Sequence, residues 1–275
     1  VTAPIIVVTT FNRAGLETYG RTMIETFDRH WPREVELIVF AEDCVDDVPK
    51  PSERVKVLDL LDRSEWLRAF KRRHAEIAVH NGRINGVYEF RADAVRFAHK
   101  VAAIDYVQSI PAFSYLIWLD ADTITHTEIS LEVLESWLPN ESEGLSWLPR
   151  GSVYAETGFI AFNACVLAFQ DFFAELTSFY RWDHFALAPE WHDAYLITFV
   201  VERRTALGEL NPKSLSGDDP KDHPFVSGPL GAYMDHMKGD RKAYGKSKPW
   251  EALTHVQAGH PYWSPPAKSP KGAGQ

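Results

Sequence analysis

Apolar residues fall in two rhythms along this chain. Pro4-Ile-Ile-Val-Val-Thr-Thr10, Val35-Glu-Leu-Ile-Val-Phe-Ala41 and Arg54-Val-Lys-Val-Leu58 are short β-branched runs, and each predicts a strand. Between the first two, Leu16, Tyr19, Met23, Ile24 and Phe27 recur at three- and four-residue spacing, which predicts a helix ending before Pro32. Strands alternating with helices imply parallel pairing through right-handed crossovers, and so an α/β sheet.

The same reading carries through the middle of the chain. Ser64 to Val79 predicts a basic helix, and Asn81-Gly-Arg-Ile-Asn-Gly86 a turn-rich break. Ala92 to Ser109 predicts a second helix, with Ala94, Phe97, Val101 and Ile104 as its apolar stripe and Asp93, Arg96 and Lys100 as a charged stripe beside it. The longest buried run is Ser114-Tyr-Leu-Ile-Trp-Leu, a strand of the kind covered on both faces, and it stops on Asp120-Ala-Asp122. Beyond it, Ser130 to Leu138, Asn163 to Tyr180 and a segment from Asp193 to Gly208 read as helices. Leu145 to Leu148 and Phe159 to Phe162 read as strands. Asn211 to Tyr233 is rich in Pro, Gly, Ser and Asp and predicts a long loop of the lid or binding kind.

Composition narrows the class. A length of 275 residues suits one large domain, expected over 1–257, with a loose tail rich in Pro, Ser, Lys and Gly over 258–275. The net charge of −9 disfavours nucleic acid and anionic membrane as partners. Two cysteines make no disulfide framework, and no apolar run reaches membrane-spanning length, so the chain is expected to be soluble and cytoplasmic. Oligomeric state is left open by these totals.

The chemistry gathers at Asp120 and Asp122. Ligands of open α/β sheets sit at the carboxyl ends of the strands, where these two carboxylates stand. Two such charges repel unless a cation lies between them, and hard oxygen ligands suit Mn²⁺ or Mg²⁺, which also accept the phosphate oxygens of a ligand. The plain alternative is a strand end followed by an Asp-rich turn.

Trp118-Leu-Asp-Ala-Asp-Thr123 after a hydrophobic strand resembles the DxD motif of nucleotide-sugar-dependent glycosyltransferases of the GT-A fold. That resemblance implies a single GT-A-like domain with a Rossmann-like, mostly parallel central sheet flanked by helices. It also implies a divalent metal, Mn²⁺ or Mg²⁺, a nucleotide diphosphate sugar as donor (a UDP-sugar above others), and a hydroxyl acceptor such as a glycan or small molecule.

Carried over residue by residue, it makes Thr10, Phe11, Arg13 and Asp43, at the ends of the first two strands, candidates for the nucleoside. Arg96 and Lys100 become donor contacts, and Asp120 and Asp122 the metal and diphosphate ligands. Glu156, entering a strand in Tyr154-Ala-Glu-Thr-Gly158, and Asp193, at the start of a helix, become catalytic candidates. Each has a plainer reading as a loop, a surface pair or a helix cap.

Near the end, Met234-Asp-His236-Met-Lys238-Gly239-Asp-Arg241-Lys242 is the densest basic stretch of the chain. It resembles the His-X-Gly-X-X-Lys motif of the retaining glycogenin and bacterial galactosyltransferase group. The resemblance implies that His236 completes the metal shell and that Lys238, Gly239 and Arg241 meet the diphosphate. The spacing departs from the motif after His236, which leaves retention or inversion open. Rival readings are a metal-dependent nucleotidyltransferase, a non-catalytic nucleotide-sugar-binding module and an enzyme that glycosylates a modified nucleic-acid base.

Overall fold

A computed structural model describes residues 4–110, 113–151, 153–216, 223–239, 241–248 and 260–263. In chain order the elements are β1 (Ile5–Phe11), α1 (Arg13–Gly15), α2 (Arg21–His30), β2 (Glu36–Ala41), β3 (Val55–Asp59), α3 (Leu60–Arg63) and α4 (Glu65–His74). A short hairpin of β4 (Arg83–Ile84) and β5 (Val87–Tyr88) leads to α5 (Ala94–Gln108), β6 (Tyr115–Leu119) and β7 (Thr123–Thr125). The rest comprises α6 (Leu131–Trp137), β8 (Leu145–Leu148), β9 (Glu156–Asn163), α7 (Leu167–Arg181) and α8 (Asp193–Ala206). It ends with β10 (Lys213–Ser214), α9 (Pro224–Ser227), β11 (Met234–His236) and α10 (Arg241–Tyr244).

Among the described residues, seven strands form one sheet in the order β10-β8-β9-β6-β1-β2-β3. β1 pairs in parallel with both β2 and β6, and β9 runs antiparallel to both β6 and β8. The alternation along β1 explains the layers. Ile5 and Val7 point into a core shared with Met23, Ile24 and Phe27 of α2, whereas Ile6 and Val8 point into one shared with Leu67 and Phe70 of α4 and Val101 and Ile104 of α5. This is the mostly parallel, helix-flanked α/β architecture the strand pattern predicts.

Local chemistry sets the helix ends. Asp93 caps α5 by accepting from the Arg96 N–H, so it does not take part in a charged stripe. The basic helix stops at His74 instead of Val79. Asn81 Nδ2 donates to the carbonyls of His74 (2.9 Å) and Ile77 (3.0 Å) there, satisfying groups that helix termination exposes. The segment predicted as a long loop carries β10, α9 and a 3₁₀ turn at Pro229–Ala232, with Phe225, Val226 and Leu230 buried. Residues 217–222 of it lie outside the described residues.

Most of the expected tail also lies outside the described residues; within it, His260–Trp263 packs against the body of the chain. Tyr262 donates its hydroxyl to Asp235 (2.8 Å), the Trp263 indole N–H donates to the Gly231 carbonyl (3.2 Å), and the Tyr262 ring stacks on His126. Burial, with His260 nearby, pushes His126 down to about 3. A histidine depressed in the folded state takes up more protons when unfolded, so its stabilisation is full above about pH 6.5 and fades toward the folded value. Between pH 7 and pH 5 the wild type is therefore expected to lose about 1–2 kcal/mol more stability in urea titrations than His126→Gln.

Among the described residues, no helix is long and apolar enough to cross a membrane.

Candidate functional site

β6 brings Asp120 and Asp122 to the carboxyl edge of the sheet, and the chain turns there through bonds from Asp120 N–H to Gly158 O (2.8 Å) and from Thr123 N–H to Asp120 O (3.1 Å). The turn feeds β7, which pairs antiparallel with β11 so that Thr123 faces His236. His236 is thus a buried strand residue, directly after the segment expected to be a long loop. Its Nε2 lies 3.1 Å from Asp122 Oδ1 and 3.5 Å from Asp120 Oδ2, and its Nδ1 lies 3.4 Å from Glu156 Oε1. Gly158 makes room for it: a Cβ there would sit 2.6 Å from the His236 ring.

Asp120, Asp122 and His236 present ligand atoms that all lie within 4.8 Å of one another. Two carboxylates and one imidazole form a donor set that suits Mn²⁺ or Mg²⁺. Ligation through Nε2 would leave the ring proton on the buried Nδ1, which makes no hydrogen bond of good geometry as it stands and has Glu156 Oε1 as a carboxylate oxygen 3.4 Å away.

The charges are balanced as they stand. Burial alone would raise Asp120, but Lys100 and hydrogen bonds from His236 and Trp118 hold it below the usual carboxylate range. Asp122 is likewise lowered, by His236 and Lys242 against its burial. Burial disfavours a charged His236, yet Asp122, Asp120 and Glu156 raise it well above the usual histidine range. Seating a divalent cation requires release of that proton, so metal affinity is expected to rise with pH.

Lys100 and Asp193 form a second charged group beside the first. The Lys100 ammonium, 7% exposed, lies 3.1 Å from Asp120 Oδ1, is in close ion contact with Asp193, and donates to the Thr157 carbonyl (3.0 Å). Thr157 in turn donates its hydroxyl to Asp193 (3.0 Å). Asp193 opens α8 under the His192 cap, as its position at a helix start predicts. Glu156, 2% exposed, takes Lys238 Nζ at 2.9 Å.

The remaining candidates are spread around this centre. Thr10 donates its hydroxyl to the Phe40 carbonyl (2.8 Å). The Arg13 N–H donates to Asp43 (2.6 Å), and the Arg13 guanidinium pairs with Asp47 (2.7 Å), both on the rim beyond β1 and β2. Phe11 is a core residue at 3% exposure beneath Gly15 and Gly20, and so does not reach the rim. The Arg96 guanidinium donates to the Tyr88 hydroxyl (3.0 Å). Gly239 adopts φ +61° with open space around it, and Arg241 folds back onto the Lys238 carbonyl (3.0 Å).

Reading the sequence motif from His236 passes over Lys242. The structure places its ammonium 2.8 Å from Asp122 Oδ2 and 5.0 Å from the centre of the Tyr19 ring. The signal was present: Gly239-X-X-Lys242 keeps the Gly-X-X-Lys half of the motif, and the extra residue falls between His236 and Gly239.

No family profile matches the sequence, and no curated protein does. Among solved structures, the apo form of mouse xyloside xylosyltransferase 1 is similar at 14% identity over 76% of this chain and 84% of that one, with a TM-score of 0.47. The apo structure of the bifunctional glycosyltransferase WbbM is similar at 15% identity with a TM-score of 0.48. That match covers 91% of this chain and 47% of WbbM, so the chain spans about half of that protein's length.

Proposed function

We propose that this chain is a metal-dependent glycosyltransferase that moves a sugar from a nucleoside diphosphate sugar, a UDP-sugar above others, to a hydroxyl acceptor such as a glycan. The observation that carries the reading is the convergence of Asp120, Asp122 and His236 within 4.8 Å at the carboxyl edge of a parallel sheet, with the Lys242 ammonium beside Asp122. Carboxylates alone would repel a diphosphate. A metal-binding set ringed by lysines suits one.

A cation held by Asp120, Asp122 and His236 would supply Lewis-acid neutralisation of the departing diphosphate. Lys242, partly exposed, would add a second positive charge on the same phosphates, and Arg96 a third from α5. Lys100 is already committed to Asp120 and Asp193, so its part is to hold those two carboxylates in place. Asp193 accepts from both Lys100 and Thr157. An acid so engaged suits stabilising positive charge that develops on the sugar better than taking a proton from the acceptor.

The test is thermal stabilisation of the full chain by UDP-, GDP- and TDP-sugars with and without Mn²⁺. One donor class is expected to raise Tm only when Mn²⁺ is present, by the equivalent of about 2.7 kcal/mol at a hundredfold excess over Kd. Lys242→Ala is expected to weaken that donor about tenfold or more while leaving Mn²⁺ affinity nearly unchanged. Slow Mn²⁺-dependent hydrolysis of the stabilising donor separates an enzyme from a binding module. If no donor stabilises the chain in a metal-dependent way, the proposal fails.

A further inference from the structure

We infer that Glu156 serves the metal site through His236, as a positioning residue that fixes which ring nitrogen faces Asp120 and Asp122, and not as a group that touches the sugar. This rests on the reading of Asp120, Asp122 and His236 as the metal set.

An imidazole ligates through a nitrogen that carries a lone pair, so a ring bound through Nε2 must keep its proton on Nδ1 and needs an acceptor there. In this protein Nε2 is the nitrogen turned to Asp122 (3.1 Å) and Asp120 (3.5 Å), and Glu156 Oε1 is the carboxylate oxygen turned to Nδ1 (3.4 Å). Glu156 is itself held in place, Oε1 accepting from the Gly158 N–H (3.3 Å) and Oε2 from Lys238 (2.9 Å).

Glu156, His236 and His223 also present ligand-type atoms within 4.8 Å of one another. The His236 backbone is fixed by its register opposite Thr123, and its carbonyl accepts from His223 Nε2 (3.0 Å) and Ser247 Oγ (3.3 Å). Gly158, two residues along β9 from Glu156, leaves the space the ring occupies, since a Cβ there would sit 2.6 Å from it. With Nε2 committed to His236, His223 presents its Nδ1 as a lone pair toward Glu156 Oε2 (3.9 Å), and so cannot displace the His236 N–H. An outer carboxylate that holds a ligating histidine this way typically accounts for about 10–100-fold in metal affinity.

The experiment is a double-mutant cycle read by Mn²⁺ binding, with free Mn²⁺ followed by electron paramagnetic resonance and no substrate present. Glu156→Ala is expected to weaken Mn²⁺ about 10–100-fold, and Glu156→Ala/His236→Ala to bind Mn²⁺ no more weakly than His236→Ala alone. Glu156→Gln keeps the shape and an acceptor oxygen. It is expected to fold like wild type with a smaller, several-fold loss, and it carries the test should the alanine variant fail to fold. Full Mn²⁺ affinity in folded Glu156→Ala or Glu156→Gln, or losses that add in the double variant, would overturn the inference while leaving the metal set intact. Full Mn²⁺ affinity in His236→Ala overturns the metal set itself, and the inference with it.

Discussion

Asp122→Ala is expected to lower sugar transfer by about 10³-fold or more and to erase the Mn²⁺ dependence of nucleotide binding. The carboxylate does three things at once. It offers a ligand atom to the proposed metal, it holds His236 Nε2 at 3.1 Å, and it holds Lys242 at 2.8 Å. Its removal frees the histidine and the lysine and takes away one of the proposed metal's ligands. The cost to folding is expected to be small, about 1–2 kcal/mol, because Lys242 can turn back to water and His236 can release its proton. Steady-state kinetics, nucleotide titrations in Mn²⁺ and a thermal melt measure all three. Unchanged nucleotide affinity in Mn²⁺ would remove Asp122 from the site.

Lys100→Met should have the opposite profile, a large loss of stability of about 3–5 kcal/mol. The lysine is buried and placed between Asp120 and Asp193, and methionine fills much of its volume without its charge. The buried Asp193 and the partly exposed Asp120 then face each other with their shared cation gone. Urea titration at pH 7 reads the loss, and a cycle with Asp193→Asn is expected to show coupling of about 1–3 kcal/mol. Near-wild-type stability in Lys100→Met would mean that water, not the lysine, compensates these acids.

What could be read from residue order alone follows the range of the forces involved. β1, β2, β6 and the helices of both layers show in the pattern because burial on a strand or helix face is a local, periodic property. Asp120 and Asp122 stand out because the strand that presents them is their immediate neighbour in sequence. Lys100 looks like part of a charged stripe. Its burial depends on Asp120 and Asp193, 20 and 93 residues further on, and no helical period reports that. His236 was visible as a metal-binding type, but β11 has three residues, too few to show a strand's alternation, so its pairing with β7 was hidden. Lys242 was missed because spacing was counted from His236, across the residue inserted before Gly239.

The β7–β11 pairing also gives the site an order in time. Asp122 and His236 are 114 residues apart, and they meet only through a two-stranded ribbon whose second strand comes late in the chain. During synthesis β1, β2 and β6 can pair while the ribosome still holds the segment that carries His236, since domains begin folding from the N-terminal side. A nascent chain stopped after β9 would own both aspartates and yet grip a cation weakly. On the proposed metal set, uptake of a cation would belong to the last stage of folding, and Mn²⁺ added to a refolding reaction is expected to speed or trap only the final phase, after the sheet has formed.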